Sequence, residues 1–266
     1  MSLEKLVVLS SDDKDSGSNS NSDFVVSLKE EYYTQNVLKV YVKDIVVPNV
    51  FPNIRGDSYG TSLNNLLKID QQGVGIVDVV VPEGQYVIST LGLPPPNDLL
   101  TVLKGLIDVA IAPETVSITV DSITNKLLFT FSSPDFKLGI ADSPMNEVLG
   151  LGTETPVYSA AITASSLPDL SGYPMIYVHS KKLAEANAID GDFGLISVAE
   201  SVSLVDAPYG SYAYRQNNDD ELSAILYDNI RNLNRIQITL RDVKGNKLDI
   251  GTFSMTVIFK VILASG

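Results

Sequence analysis

The chain has 266 residues, 44% of them hydrophobic and 19% charged, with 19 basic against 32 acidic side chains and a formal charge of −13. That much apolar material can bury a sizeable core and excludes a wholly disordered chain, while a field of that sign repels phosphate backbones and anionic lipid surfaces and argues against a direct nucleic-acid partner. The absence of cysteine removes disulfides, thiol nucleophiles and thiolate metal sites and fits a reducing compartment, and a single histidine closes most of the remaining metal options.

The length suits one large β domain carrying an insertion, in preference to two separate domains. The apolar run at the N-terminus is too short for a signal peptide. No later stretch approaches the roughly 18 apolar residues of a membrane span, so a soluble, unsecreted protein is expected.

In chain order, Leu6 to Leu9 and Phe24 to Leu28 read as strands. Between them residues 10–23 are almost wholly small and polar, and this composition predicts a mobile loop that could order on meeting a neighbour. From 37 to 47 the period is two: Leu38, Val40 and Val42 share one face and Lys39, Tyr41 and Lys43 the other. The phase slips near Asp44, which suggests a bulge before Pro48 ends the run.

Residues 82–153 differ in character. Pro94-Pro95-Pro96 precedes Asn97 or Asp98, either of which can cap a helix whose Leu99, Leu100, Leu103, Leu106 and Ile107 follow helical spacing. Strand patterns follow at Val116, Ile118 and Val120, at Leu127, Phe129 and Phe131, and at Phe136, Leu138 and Ile140, with a turn at 121–125. A helix plus a β-meander is the expectation.

Strand patterns resume at 174–179 and 195–205. The C-terminal region then predicts a hairpin: Ile236, Ile238 and Leu240 alternate with polar residues, Asp242 to Lys247 turns the chain, and Phe253, Met255, Val257, Phe259, Val261 and Leu263 line one face. The economical architecture is an all-β, antiparallel jelly-roll sandwich made of 1–81 and 154–266. An α+β insertion subdomain, 82–153, grows from one of its loops.

Few residues suggest chemistry, and none is assigned a catalytic, cofactor or metal role. His179 lies in a strand pattern, where a surface or hydrogen-bonded strand histidine is the simple reading against a nucleophile's base. Asp219, Asp220 and Glu221 after Asn217 and Asn218 lack the spaced calcium-loop pattern, and neither Asp190 nor Asp206 comes with a local sign of a raised pKa. Gly73 with Gly75 and Gly150 with Gly152 read as turns, since a phosphate cradle needs a third glycine and a following helix.

Two segments are candidate interface or receptor loops. Arg55, Gly56 and Asp57 form, in a polar loop, a tripeptide that many integrin ligands use for recognition, against which stands ordinary turn chemistry. Tyr209, Tyr212, Tyr214 and Arg215 form an aromatic segment of the kind enriched at contact surfaces, or else a strand-edge cluster.

Several stretches together resemble a known family. They are Ser22-Asp23-Phe24 to Leu28, Val47-Pro48-Asn49 with Asn53-Ile54, and the run from Pro82-Glu83-Gly84-Gln85-Tyr86 to Leu149-Gly150. With them go Ile176-Tyr177-Val178-His179-Ser180, Ala207-Pro208-Tyr209-Gly210, and Ile238 to Asp242 with Gly245 and Leu248. In this order they are similar to the penton, or minor capsid, proteins of virophages and polinton-like viruses over nearly the whole chain.

That resemblance implies a non-enzymatic jelly-roll subunit forming a homopentamer at the five-fold vertex of a virion assembled in the host cytoplasm or virus factory. It also implies an outward insertion and contacts with major capsid protein trimers. A virion attachment protein or carbohydrate-binding β-sandwich, gripping a host receptor or glycan, is the alternative. A glycosidase needs paired carboxylates and a cupin needs several histidines, which leaves the enzyme reading last.

Overall fold

A computed structural model describes residues 2–28, 37–56, 63–89, 94–152, 157–180, 198–216, 225–230 and 234–264. Among them run β1 (Ser2–Ser10), β2 (Asp23–Ser27), β3 (Val37–Pro48), β4 (Leu66–Gln71), β5 (Gly75–Val80), α1 (Leu99–Ala110), β6 (Val116–Val120) and β7 (Leu127–Phe131). They are followed by β8 (Phe136–Lys137), α2 (Met145–Leu149), β9 (Ala161–Thr163), β10 (Met175–His179), β11 (Val198–Ser203), β12 (Tyr212–Gln216), β13 (Ile225–Ile230), β14 (Arg235–Arg241) and β15 (Thr256–Ala264).

The chain divides into two units, Met1–Phe51 with Tyr173–Gly266, and Pro52–Gly172. Unit 1 contains two antiparallel sheets, in the orders β1-β15-β3-β12, with β13 also pairing β3, and β11-β10-β14-β2. Leaving β13 aside, its strands in chain order stand first-eighth-third-sixth in one sheet and second-seventh-fourth-fifth in the other. This is the strand order of a jelly roll. The inward residues alternate as a half-buried strand requires: Val7 and Leu9 on β1, Val257, Phe259, Val261 and Leu263 on β15, Phe24 and Val26 on β2, and Ile236, Ile238 and Leu240 on β14 are all buried.

The slip of phase on β3 is a pair of bulges. Against β15 the partners step from Asp44 to Val42 and from Lys39 to Val37, so Lys43 and Leu38 are the extra residues. Leu38 is thereby turned out to solvent and does not share the buried face of Val40 and Val42.

The C-terminal hairpin is corrected. β14 pairs β2 and β10, whereas β15 pairs β1 and β3 in the other sheet. The turn at Asp242 exists, with the Gly245 and Asn246 amide N–H groups donating to Asp242 and Arg241 bridging Lys247. It returns the chain only as far as Leu248, after which the chain crosses to the second sheet. Phe253 lies on that crossing and is exposed.

Residues 10–23 depart from the mobile loop that their composition predicts. Ser11 is buried and exchanges hydrogen bonds with Met255, and the Asp15 carboxylate accepts from Ser27 N (3.1 Å), Ser27 Oγ (2.8 Å) and Arg235 Nη2 (3.0 Å). Ser18 Oγ accepts from Val25 N at 3.0 Å, and Ser20 Oγ accepts from Asp23 N at 3.0 Å. Side chains too polar for a core hold this loop through backbone hydrogen bonds instead.

Unit 2 has its own core between two three-stranded sheets, β5-β4-β8 and β6-β7-β9, and the helices α1 and α2. Helix α1 forms as its spacing predicts. Asp98 is the cap, accepting from Thr101 N at 2.9 Å and Thr101 Oγ1 at 2.7 Å, and Leu99, Leu100, Leu103 and Ile107 are buried. Asp98 also accepts from Ser89 N at 2.8 Å. Asp98→Ala is expected to cost about 1 kcal/mol of stability, readable as a lowered urea midpoint with an unchanged slope.

The division falls at Pro52 and Gly172, where the sequence reading placed the insertion at 82–153. The cause is pairing that strand patterns do not encode. β8 pairs β4 and leaves the meander, and the third strand on β7 is β9. The β4–β5 hairpin, whose turn includes Gly73 and Gly75 at positive φ, therefore shares its core with α1, and 157–172 joins the same unit. α2 is an additional short helix, closed by Gly150 at φ +68°.

At the ends of unit 1 flanking the insertion, Phe51 and Tyr173 meet edge to face with ring centroids 5.6 Å apart. Within unit 2, the buried Asn53 amide joins entry to exit: Tyr86 N donates to Oδ1 at 2.8 Å, and Nδ2 donates to Tyr86 O at 2.7 Å and Leu170 O at 3.3 Å.

Candidate functional site

The aromatic segment resolves into a turn followed by a strand edge. Tyr209 is on the turn 207–210, which Asn49 clamps: Asn49 Nδ2 donates to Ala207 O at 2.6 Å and Gly210 N to Asn49 O at 2.7 Å. Tyr212, Tyr214 and Arg215 belong to β12, which pairs β3 from Pro48 to Asp44. Ala213 is buried inward, so alternation turns Tyr212 and Tyr214 outward together.

The Tyr214 hydroxyl donates to Asp44 Oδ1 at 2.9 Å, and this bond to a carboxylate pushes the phenol pKa up. Arg215 Nη2 lies 3.3 Å from Glu200 Oε1 on β11. The side chains make a half-exposed amphipathic surface able to stack and donate hydrogen bonds.

The first two residues of the Arg-Gly-Asp tripeptide are built into the framework of unit 2. Arg55 is half-buried and its N–H donates to Asn64 Oδ1 at 2.6 Å; Gly56 is buried and its N–H donates to Glu83 Oε2 at 3.2 Å. A Cβ at Gly56 would stand 3.2 Å from that same carboxylate oxygen. Arg55 is thus half-buried and Gly56 buried, each with its backbone N–H held by a side-chain oxygen of a neighbouring segment. Asp57 lies outside the described residues, as do Asp190 and the run Asn217 to Glu221.

His179 is buried, against the expectation of a surface or hydrogen-bonded strand histidine. Its strand β10 keeps an unbroken register with β14, which sets His179 opposite the buried Thr239, and Nε2 has no hydrogen-bond partner among the described residues. Burial, and then the Arg241 charge on neighbouring β14, push its pKa down from 6.5 to about 4. The folded state therefore favours the neutral ring. Its contribution to stability is complete above pH 6.5 and falls by about 1.4 kcal/mol per pH unit between there and pH 4. A His179→Gln variant should lose this slope in urea midpoints measured across that window; an unchanged slope would contradict the assignment.

Among the described residues, Asp23 is an electrostatic centre that sequence reasoning passed over. Its carboxylate accepts from Lys247 Nζ (2.6 Å), Asn19 Nδ2 (2.9 Å), Gln237 Nε2 (3.0 Å) and Thr239 Oγ1 (3.0 Å). Burial alone would raise its pKa, but these donors outweigh burial and hold it well below the usual carboxylate range. Every donor is committed to joining β2 with β14 and their loops, so the centre is structural. Among the described residues no group of three His, Asp or Glu side chains is arranged to hold a metal ion, and no helix is long and apolar enough to cross a membrane.

Strand order and the inserted unit define the class: a jelly-roll protein with an α+β insertion between its third and fourth strands. No protein-family model matches the chain, and no curated protein sequence matches it. Among solved structures it is similar to the mavirus penton protein, with 10% identity, a TM-score of 0.41 and 99% of each chain covered. It is also similar to a chain in the 3.5 Å cryo-EM structure of the Sputnik virophage, with 11% identity, a TM-score of 0.46, and 98% of this chain and 97% of the other covered.

Proposed function

We propose that this chain is a structural capsid protein, a penton subunit that closes a ring of five copies at an icosahedral vertex and contacts major capsid protein capsomers. The observation that carries the reading is the jelly-roll strand order with a folded unit inserted between β3 and β10. It supports the family resemblance carried by the ordered stretches from Ser22 to Leu248. Ring closure requires two different, mutually complementary surfaces on one subunit, and the half-exposed tyrosines of β12 offer one such surface.

Coexpression with a double jelly-roll major capsid protein, followed by cryo-EM of the particles, tests the role. Density for this chain confined to five-fold vertices is expected; particles whose vertices close without it would refute the proposal. The exposure of Tyr209, Tyr212 and Tyr214 also favours a second reading, a receptor- or glycan-binding module, and selective binding on a glycan array would support it.

A further inference from the structure

The sheet β1-β15-β3-β12 ends in two unlike edges. Among the described strands β1 pairs only β15 and β12 pairs only β3, with β13 continuing the β12 edge along β3, so neither β1 nor β12 has a second strand partner there. On the outer face of β1, Leu6 and Val8 are each 57% exposed while Val7 and Leu9 point into the core. On the outer face of β12, Tyr212 and Tyr214 are 54% and 58% exposed around the buried Ala213. An open strand carrying large apolar side chains is a surface that natural sheets ordinarily cover or blunt.

The occupant follows from strand direction. The three pairings that lead from β1 to β12 are all antiparallel, so directions alternate and β12 runs opposite to β1. A second copy in the same orientation, placed beside the first, brings its β1 alongside β12 as an antiparallel neighbour. The alternation of the sheet then continues across the joint. The inward and outward faces also match: Leu6 and Val8 of the next copy fall on the same outer face as Tyr212 and Tyr214, where aliphatic and aromatic side chains form favourable cross-strand pairs. Two copies joined by a two-fold axis would instead set like edge against like edge, β1 on β1 or β12 on β12, and leave the other edge of each copy bare.

We infer that the β1 edge of one copy docks against the β12 edge of the next, head to tail, through Leu6 and Val8 on one side and Tyr212 and Tyr214 on the other. This inference rests on the ring reading and names the surfaces that would close the ring.

The absence of cysteine makes the test clean. Val8→Cys and Tyr212→Cys are introduced singly and together into the full chain, with circular dichroism confirming an unchanged fold, and the proteins are oxidised and run on a non-reducing gel. The double variant should give a ladder ending at five chains, an equimolar mixture of the single variants should give dimers, and each single variant alone should give none. Dimers from Val8→Cys alone, or a double variant that stays monomeric on the gel, overturn the edge assignment. The light-scattering mass of the unmodified chain reports on the ring separately: five copies in solution without a ladder would keep the ring and discard these edges.

Discussion

Phe259→Ala is expected to cost 3–5 kcal/mol (about the full range for emptying a large aromatic site) and to leave the chain close to unfolded at moderate urea. Phe259 is wholly buried at the centre of β15, opposite Val7 of β1 and Val42 of β3. Strands flank it on both sides, so the backbone has little freedom to collapse into the space left behind. Its neighbour Ile258 faces the opposite side of the sheet and is only partly buried, and Ile258→Ala should cost less than about 1.5 kcal/mol by the same reasoning. Urea denaturation of both variants checks the pair. A larger loss at Ile258 than at Phe259 would mean that β15 sits one residue out of register, because such a slip exchanges the two faces.

Asp23→Ala is expected to cost about 2–4 kcal/mol, since it strips the acceptor from four donors at once and leaves the buried Thr239 hydroxyl unsatisfied. Lys247→Ala should cost only about 1 kcal/mol or less, because the lysine side chain is largely exposed. The pH dependence has a definite sign. The folded-state pKa of Asp23 is depressed below 3.8, so its contribution is present above that pH and is lost as the pH falls further. Acid titration of the wild-type protein should show this loss and the Asp23→Ala variant should lack it. Equal losses for Asp23→Ala and Lys247→Ala would show that the carboxylate acts only through the exposed ion pair.

The elements most legible in the sequence are those whose own side chains decide them. β15 and β14 follow from strict alternation, α1 from its spacing and the Asp98 cap, and the bulge in β3 from the break of phase near Asp44. Partnership was not legible. Residues 236–263 carry every local sign of a hairpin, yet β14 and β15 enter different sheets, because the turn at Asp242 is compatible both with return and with crossing over. β8 has the same character: Phe136 reads as a strand residue wherever it pairs, and only the fold assigns it to β4.

Polar stretches misled for a related reason. Composition registers that residues 10–23 cannot build an apolar core, but it does not register hydrogen bonds such as those from Ser27 and Arg235 to Asp15, whose partners are remote in sequence. At the candidate sites, the exposed Tyr212 and Tyr214 could be read from alternation about Ala213. The burial of Gly56 could not, since Glu83 approaches it from a separate segment. His179 is buried where it pairs with Thr239 of β14, a partnership that the local pattern of β10 does not encode.

The mass of the purified chain in solution, by multi-angle light scattering near neutral pH and over a range of salt concentrations, tests the central claim most directly. The account predicts a species five times the 28.7 kDa chain; a stable trimer, or a dimer that persists at every concentration, would contradict it.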